Sequence, residues 1–263
     1  MNIQFGACTG LSNSVVMNEL GGTHIESGFA MYTNMSEEQF IKERDILRST
    51  PVTVVSMNSM LPPNFVLYGT EEQSQEVCDF VRRGMERAAS LGCKSVCMGS
   101  GGARNIPEGM SRDEAADRLA ALIARFCAIA AEYDIKIAIE PLRKEETNFI
   151  HTIADAYDII RRVPECNNLG VNPDMYHMYE GGDDFSNLVK YKDYVFNVHI
   201  AEPGTRVYPK PGSEENEALY VQFLTALKEA GYTGNVSVEA GTKDFKGDAA
   251  VALNYLSELA AKI

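Results

Sequence analysis

The sequence predicts an α/β fold, a single (β/α)8 TIM barrel over residues 1–263, on three observations. Eight short apolar runs alternate with helix-like stretches along the whole chain. No linker-like or low-complexity segment interrupts them, which leaves no candidate domain boundary. No GxGxxG or GxxxxGKS/T motif follows the first run, as an open, nucleotide-binding sheet would require.

Taken in order, the runs are IQFGAC from Ile3, THIES from Thr23, VTVVSM from Val52 and SVCMG from Ser95. Then come KIAIE from Lys136, NLGVN from Asn168, FNVHI from Phe196 and NVSVE from Asn235. Each has the length and apolar content of a buried parallel strand. Residues 71–90, 113–132, 217–230 and 249–261 are amphipathic at helical spacing. Ser36 with Gln39 and Ser111 with Glu114 have the spacing of capping boxes. Glycine-containing turns such as LGC, NNLG and AGYTGN precede the next strand, where helix C-termini are expected.

Composition excludes several classes. Twenty-four basic residues against 37 acidic ones give a net charge of −13, which argues against a nucleic-acid or anionic-membrane surface. The six cysteines (Cys8, Cys78, Cys93, Cys97, Cys127 and Cys166) form no CxxC and read as reduced core thiols of a cytoplasmic protein. The start, MNIQFGACTG, lacks a basic segment followed by an apolar one, so no secretory signal is expected. No apolar run approaches the ~18 residues of a membrane-spanning helix.

The ends of the strands carry the chemistry. KIAIE closes on Glu140, and a buried carboxylate costs several kcal/mol unless something pairs with it or binds it. Alternation sets Ala138 and Glu140 on one face and Ile137 and Ile139 on the other. The same parity places Ser237 with Glu239, Asn197 with His199, and Asn172 with Asp174. Four consecutive strands therefore aim Glu140, Asp174, His199 and Glu239 into the lumen at the C-terminal mouth, where barrel active sites sit. Three carboxylates beside one imidazole would repel one another without a cation. The oxygen-rich set suits one divalent ion, Mn²⁺ foremost, with Mg²⁺, Co²⁺ or Zn²⁺ as alternatives.

The segments AIEPLRKEETNFIHT, NPDMYHM, VHIAEPGTR and SVEAG, in that order, resemble the sugar phosphate isomerase/epimerase group of the xylose-isomerase-like TIM barrels. Within that group the chain resembles the D-tagatose and D-psicose 3-epimerases. The resemblance implies metal ligation by Glu140, Asp174, His199 and Glu239, the set that strand parity selects. It also implies substrate contacts at Glu146, His177 and Arg206. Arg206 arrives one residue later than in those epimerases, and Gly6-Ala7-Cys8 lacks their aromatic residues.

Several residues have two readings. His177 either meets a substrate hydroxyl or orients Asp174. Arg206 either pins a substrate oxygen or phosphate or pairs with Glu202. Glu146 lies in a charge run of the kind that is usually a solvated face. Glu26 shares lumen parity with His24 and either lines the mouth or makes a buried hydrogen bond. His151 reads as a capping or packing residue. The segment GSGGARNIPEG, from Gly99 to Gly109, is either an anion cradle or a tight turn, with Arg104 expected at the distal end of the substrate.

Together these imply a metal-dependent epimerase or isomerase acting on a ketose or related keto-sugar through a cis-enediolate, with Glu140 and Glu239 as opposed acid and base. An aldose–ketose isomerase of the hydroxypyruvate-isomerase kind, or a keto-sugar lyase or dehydratase, would use the same ligands. A nuclease of the same fold would need a histidine-rich, multi-metal site, and this chain has four histidines. A sugar-binding module would have little reason to keep both glutamates. The expected partner is a small-molecule sugar, with neither nucleic acid nor membrane, and a homo-oligomer is left open.

Overall fold

The computed structural model describes residues 3–263. Eight strands form one parallel sheet: β1 (Gln4–Cys8), β2 (His24–Gly28), β3 (Thr53–Asn58), β4 (Ser95–Met98), β5 (Lys136–Ile139), β6 (Leu169–Val171), β7 (Val198–Ile200) and β8 (Asn235–Val238). Their order is β6-β5-β4-β3-β2-β1-β8-β7, so β6 and β7 are the edges. Isolated parallel bridges join those edges, Val171 with Val195 and Asp174 with His199. Phe196 N donates to Val171 O at 3.0 Å, and His199 N donates to Pro173 O at 2.9 Å. The sheet curls until its two ends meet at the level where Asp174 and His199 sit.

The strands are buried on both faces, as parallel strands covered by helices must be. Val96, Cys97, Ile137, Ala138, Ile139, Val198, Val236 and Val238 all have no exposed surface. Truncating one of the larger of these, as in Ile139→Ala, removes packing worth about 2–5 kcal/mol. Long helices, Glu71–Ser90 and Arg112–Ala131 among them, lie between the strands. Among the described residues no helix is long and apolar enough to cross a membrane. All six cysteines are free thiols.

Helix starts differ from the sequence expectation in an instructive way. Ser36 and Ser111 do cap, accepting from Gln39 N and Glu114 N. The reciprocal box, in which the third residue also reaches back, occurs instead at Thr70 with Gln73 and at Thr152 with Asp155. The last two helices begin earlier than their apolar periodicity, at Glu214 and Phe245, because Ser213 and Asp244 supply the caps. The first turn from Glu214 is all polar and the one from Phe245 has a single apolar residue, so periodicity alone misses them.

Candidate active site and metal centre

The register of the sheet assembles the site. β4 and β5 pair through Met98 and Ile139, and β5 and β6 through Ile139 and Val171. Glu140 continues this ladder one residue past β5, with its N–H donating to Met98 O at 3.2 Å. Across the other edge, His199 pairs with Ser237, and Glu239 N donates to Ile200 O at 3.1 Å. The lumen parity of the four strands is thus realised, and Glu140, Asp174, His199 and Glu239 converge.

Gly99 makes room for this. A Cβ at that position would lie 2.5 Å from Glu140 Oε2, so any side chain there would displace the carboxylate. Asn172 Nδ2 donates to Glu140 Oε1 at 3.3 Å, and Cys97 Sγ donates to Glu140 Oε2 at 3.3 Å. On the far side Asn58 Nδ2 donates to Glu239 Oε1 at 2.6 Å. His199 stands between the two glutamates, its Nδ1 3.1 Å from Glu140 Oε1 and 3.7 Å from Glu239 Oε2.

Asp174 shows why helix capping does not exhaust its role. Its Oδ1 accepts from Tyr176 N at 2.8 Å and caps the helix Met175–Gly181. Its Oδ2 is fully buried and has no hydrogen-bond partner. Ligand atoms of Glu140, Asp174, His177 and Glu239 all lie within 4.8 Å of one another. The carboxylates cannot all ionise comfortably in that space. Burial, then Glu140 and Glu239, push Asp174 up to about 8. Glu239 is raised as well, by burial and by Glu140. Glu140 alone is driven down, to about 2, because the hydrogen bond and charge of His199 overcome its burial. An orphaned buried oxygen amid three carboxylates and two imidazoles fits a divalent cation. Glu140, Asp174 and Glu239 would hold it with His199, and His177 borders the same space.

The residues expected to meet substrate divide. Arg206, in the loop after β7, reaches Glu239 Oε2 at 2.9 Å, Glu146 Oε1 at 3.2 Å and His177 Nε2 at 3.3 Å. Its side chain therefore turns to the mouth, and only its backbone N–H meets Glu202, at the carbonyl. Glu146 is half-buried and paired with Arg143 at 2.9 Å, so it belongs to the site edge rather than to a solvated face. His177 is buried with Nδ1 unpartnered, and that burial lowers it to about 4, keeping the ring neutral. Tyr176, which the sequence did not single out, lies under both Arg143 and Arg206 at 5.3 and 5.2 Å.

Arg104 requires a correction. It was expected at the distal end of the substrate, yet it has no exposed surface. Its guanidinium donates to the carbonyls of Glu140 at 2.8 Å and of Met98, Phe149 and Ile150 at 3.2 Å each. A fully buried guanidinium with four of its five N–H donors spent on backbone oxygens faces the protein rather than a sugar. Arg104 ties the end of β4 to Glu140 and to the loop that carries Glu146. That loop includes Ile150 at φ +63°, a backbone conformation a β-branched residue holds only when its surroundings enforce it. The segment from Gly99 is thus a turn built around Arg104 rather than an anion cradle. His151 is a packing residue as expected, with Nδ1 2.9 Å from Leu142 O.

The sheet, its closing bridges and the cluster at its C-terminal mouth define an α/β barrel with an acidic, metal-competent site. The chain belongs to the xylose isomerase-like TIM barrel family, whose pattern matches residues 16–259. It is similar to the inosose isomerase of Halalkalibacterium halodurans, 29% identical over 129 residues that make up 45% of this chain and 44% of that one. It is also similar to a probable ketose 3-epimerase of Synechocystis sp., 27% identical over 110 residues, 41% of this chain and 36% of that one. Each match thus spans less than half the length of the curated relative. In fold it is similar to the 3-keto-D-glucoside 4-epimerase of E. coli, with a TM-score of 0.80 at 19% identity over 97% of this chain and 99% of that one. The D-psicose 3-epimerase of Clostridium cellulolyticum H10 has a TM-score of 0.82 at 16% identity, covering 98% of this chain and 99% of that one.

Proposed function

We propose that residues 1–263 act as one domain, a divalent-metal-dependent epimerase of a ketose or related keto-sugar. The observation that carries this reading is the pair Glu140 and Glu239, brought from separate strands onto one histidine with the unpartnered Asp174 Oδ2 between their charges. A divalent ion bound there, Mn²⁺ foremost, supplies Lewis acidity toward a substrate carbonyl and its neighbouring hydroxyl.

The protein's own groups do the proton work. Each glutamate would hold the ion and still offer carboxylate basicity to the substrate proton. One glutamate takes the proton from the carbon beside the carbonyl, which leaves a cis-enediolate. The other returns a proton to the opposite face, and the centre inverts. Arg206, His177 and Glu146 lie at the rim of the same space, where they would hold the sugar hydroxyls in register with the two carboxylates.

The similarity to an inosose isomerase favours a second reading, an isomerase that moves the carbonyl with the same residues. Incubation of the Mn²⁺-loaded protein with a panel of ketoses and keto-sugars in D₂O separates the two. An epimerase inverts one centre and leaves solvent deuterium on it. An isomerase returns a product with the carbonyl displaced. A product one water lighter, or cleaved, would identify a lyase, and no turnover of any keto-sugar would contradict both readings.

A further inference from the structure

We propose that Glu26 is a positioning residue of this site, holding His199 with Nε2 protonated so that Nδ1 is left free for the carboxylate cluster. The proposal rests on the metal-site reading above and adds a residue from a strand that supplies none of its ligands.

Glu26 lies in β2, which is separated from β7 by β1 and β8 in the sheet order. It has no exposed surface, and neither does His199. Glu26 Oε2 lies 3.0 Å from His199 Nε2. A carboxylate only accepts, so the ring nitrogen facing it is the donor. The opposite ring nitrogen, Nδ1, is the one 3.1 Å from Glu140 Oε1. Both ring nitrogens thus face carboxylates and can donate to them; an ion taking Nδ1 in place of its proton would leave Nε2–H on Glu26.

Glu26 is itself held in place. Asn197 Nδ2 lies 3.0 and 3.1 Å from its two oxygens, and 2.7 Å from Asn172 Oδ1. Asn172 in turn reaches Glu140 Oε1 at 3.3 Å. The line Glu26–Asn197–Asn172–Glu140 runs beneath the proposed ligands and shares their parity on β6 and β7. A fully buried acid costs several kcal/mol unless its partners use the charge. Here the partners are an imidazole N–H and an amide, and a carboxylate behind a ligating imidazole fixes its tautomer and ring orientation.

Two measurements test this. Mn²⁺ is titrated calorimetrically into the metal-stripped protein and into Glu26→Gln and Asn197→Ala variants whose folding is checked by thermal melting. Loss of the carboxylate should weaken Mn²⁺ binding by about 10- to 100-fold, with Asn197→Ala moving in the same direction by less. Should Glu26→Gln not fold, Asn197→Ala carries the affinity test. In parallel, ¹⁵N-histidine spectra of the Mg²⁺-loaded protein, which has four histidines, identify His199 by its loss in a His199→Gln variant. His199 should show a protonated Nε2 and an unprotonated Nδ1. Unchanged Mn²⁺ affinity in folded variants, or a loaded His199 protonated at Nδ1, would overturn the role of Glu26 alone. A wild-type protein that binds neither ion would overturn the metal-site reading along with it.

Discussion

Arg206 Nη2 donates to Glu239 Oε2 across 2.9 Å, from a backbone held at φ +51°. A left-handed non-glycine residue is retained where its side chain is needed in one place. Here the guanidinium caps the acidic cluster from the loop side and stacks over Tyr176. Burial weakens its hold on the proton, but Glu239, Asp174 and Glu146 outweigh this and raise it above the usual arginine range. Arg206→Ala removes a charged hydrogen-bonding group, worth about 1.5–3 kcal/mol, so kcat/KM should fall roughly 10- to 100-fold. Mn²⁺ binding, read by calorimetry, should persist, since the four proposed ligands remain.

Asp174 should make stability depend on metal. At 100 times its dissociation constant, an ion that binds only the folded protein adds about 2.7 kcal/mol. Thermal melts with and without Mn²⁺ should show that gain for wild type and lose it in Asp174→Asn. An equal shift in the variant would place the ion elsewhere.

Replacing Arg104 should damage the fold rather than the choice of sugar. Arg104→Met leaves the Glu140 carbonyl without its guanidinium donor, a loss of about 1–3 kcal/mol for that acceptor alone. Urea unfolding should record a loss at least that large. Activity should fall uniformly across a panel of free and phosphorylated ketoses. A selective change of preference would restore a direct substrate contact.

The cap of the helix Ile153–Ile160 should contribute to acid sensitivity. Asp155 accepts from His151 N at 2.9 Å and Thr152 N at 3.0 Å and pairs with Arg112. Burial opposes ionisation, but these partners prevail and lower its pKa. A lowered carboxylate contributes stability that is present above its ordinary value, near 4, and is lost as pH falls through the folded value. Asp155→Asn should therefore cost about 1 kcal/mol near neutrality and flatten the decline below pH ~4, in urea midpoints taken across that range.

Much of this site was legible because β-parity is a local property. Ile137 and Ile139 against Ala138 and Glu140 needs only four consecutive residues, and the same holds for His199 and Glu239. Asn172 and Asn197 shared that parity and were visible as lumen residues, but their roles depend on the register between strands. Gly99 and Asn58 were not legible, since what they touch comes from β5 and β8. Arg104 was misplaced for the same reason. A glycine-rich loop with an arginine reads alike whether the guanidinium turns outward to a ligand or inward to carbonyls contributed by residues 98, 140, 149 and 150.

In the proposed mechanism Glu140 and Glu239 work from opposite faces of one carbon. Replacing either by glutamine keeps a ligating oxygen, removes the base and should cut turnover by ~10²–10⁴. The direct measurement is proton exchange in D₂O, followed by NMR on each epimer separately, with Glu140→Gln and Glu239→Gln. One variant should exchange the reacting C–H of the first epimer without inverting it, and the other variant should do so only for the second. Both variants exchanging the same epimer, or neither exchanging any, would contradict the account.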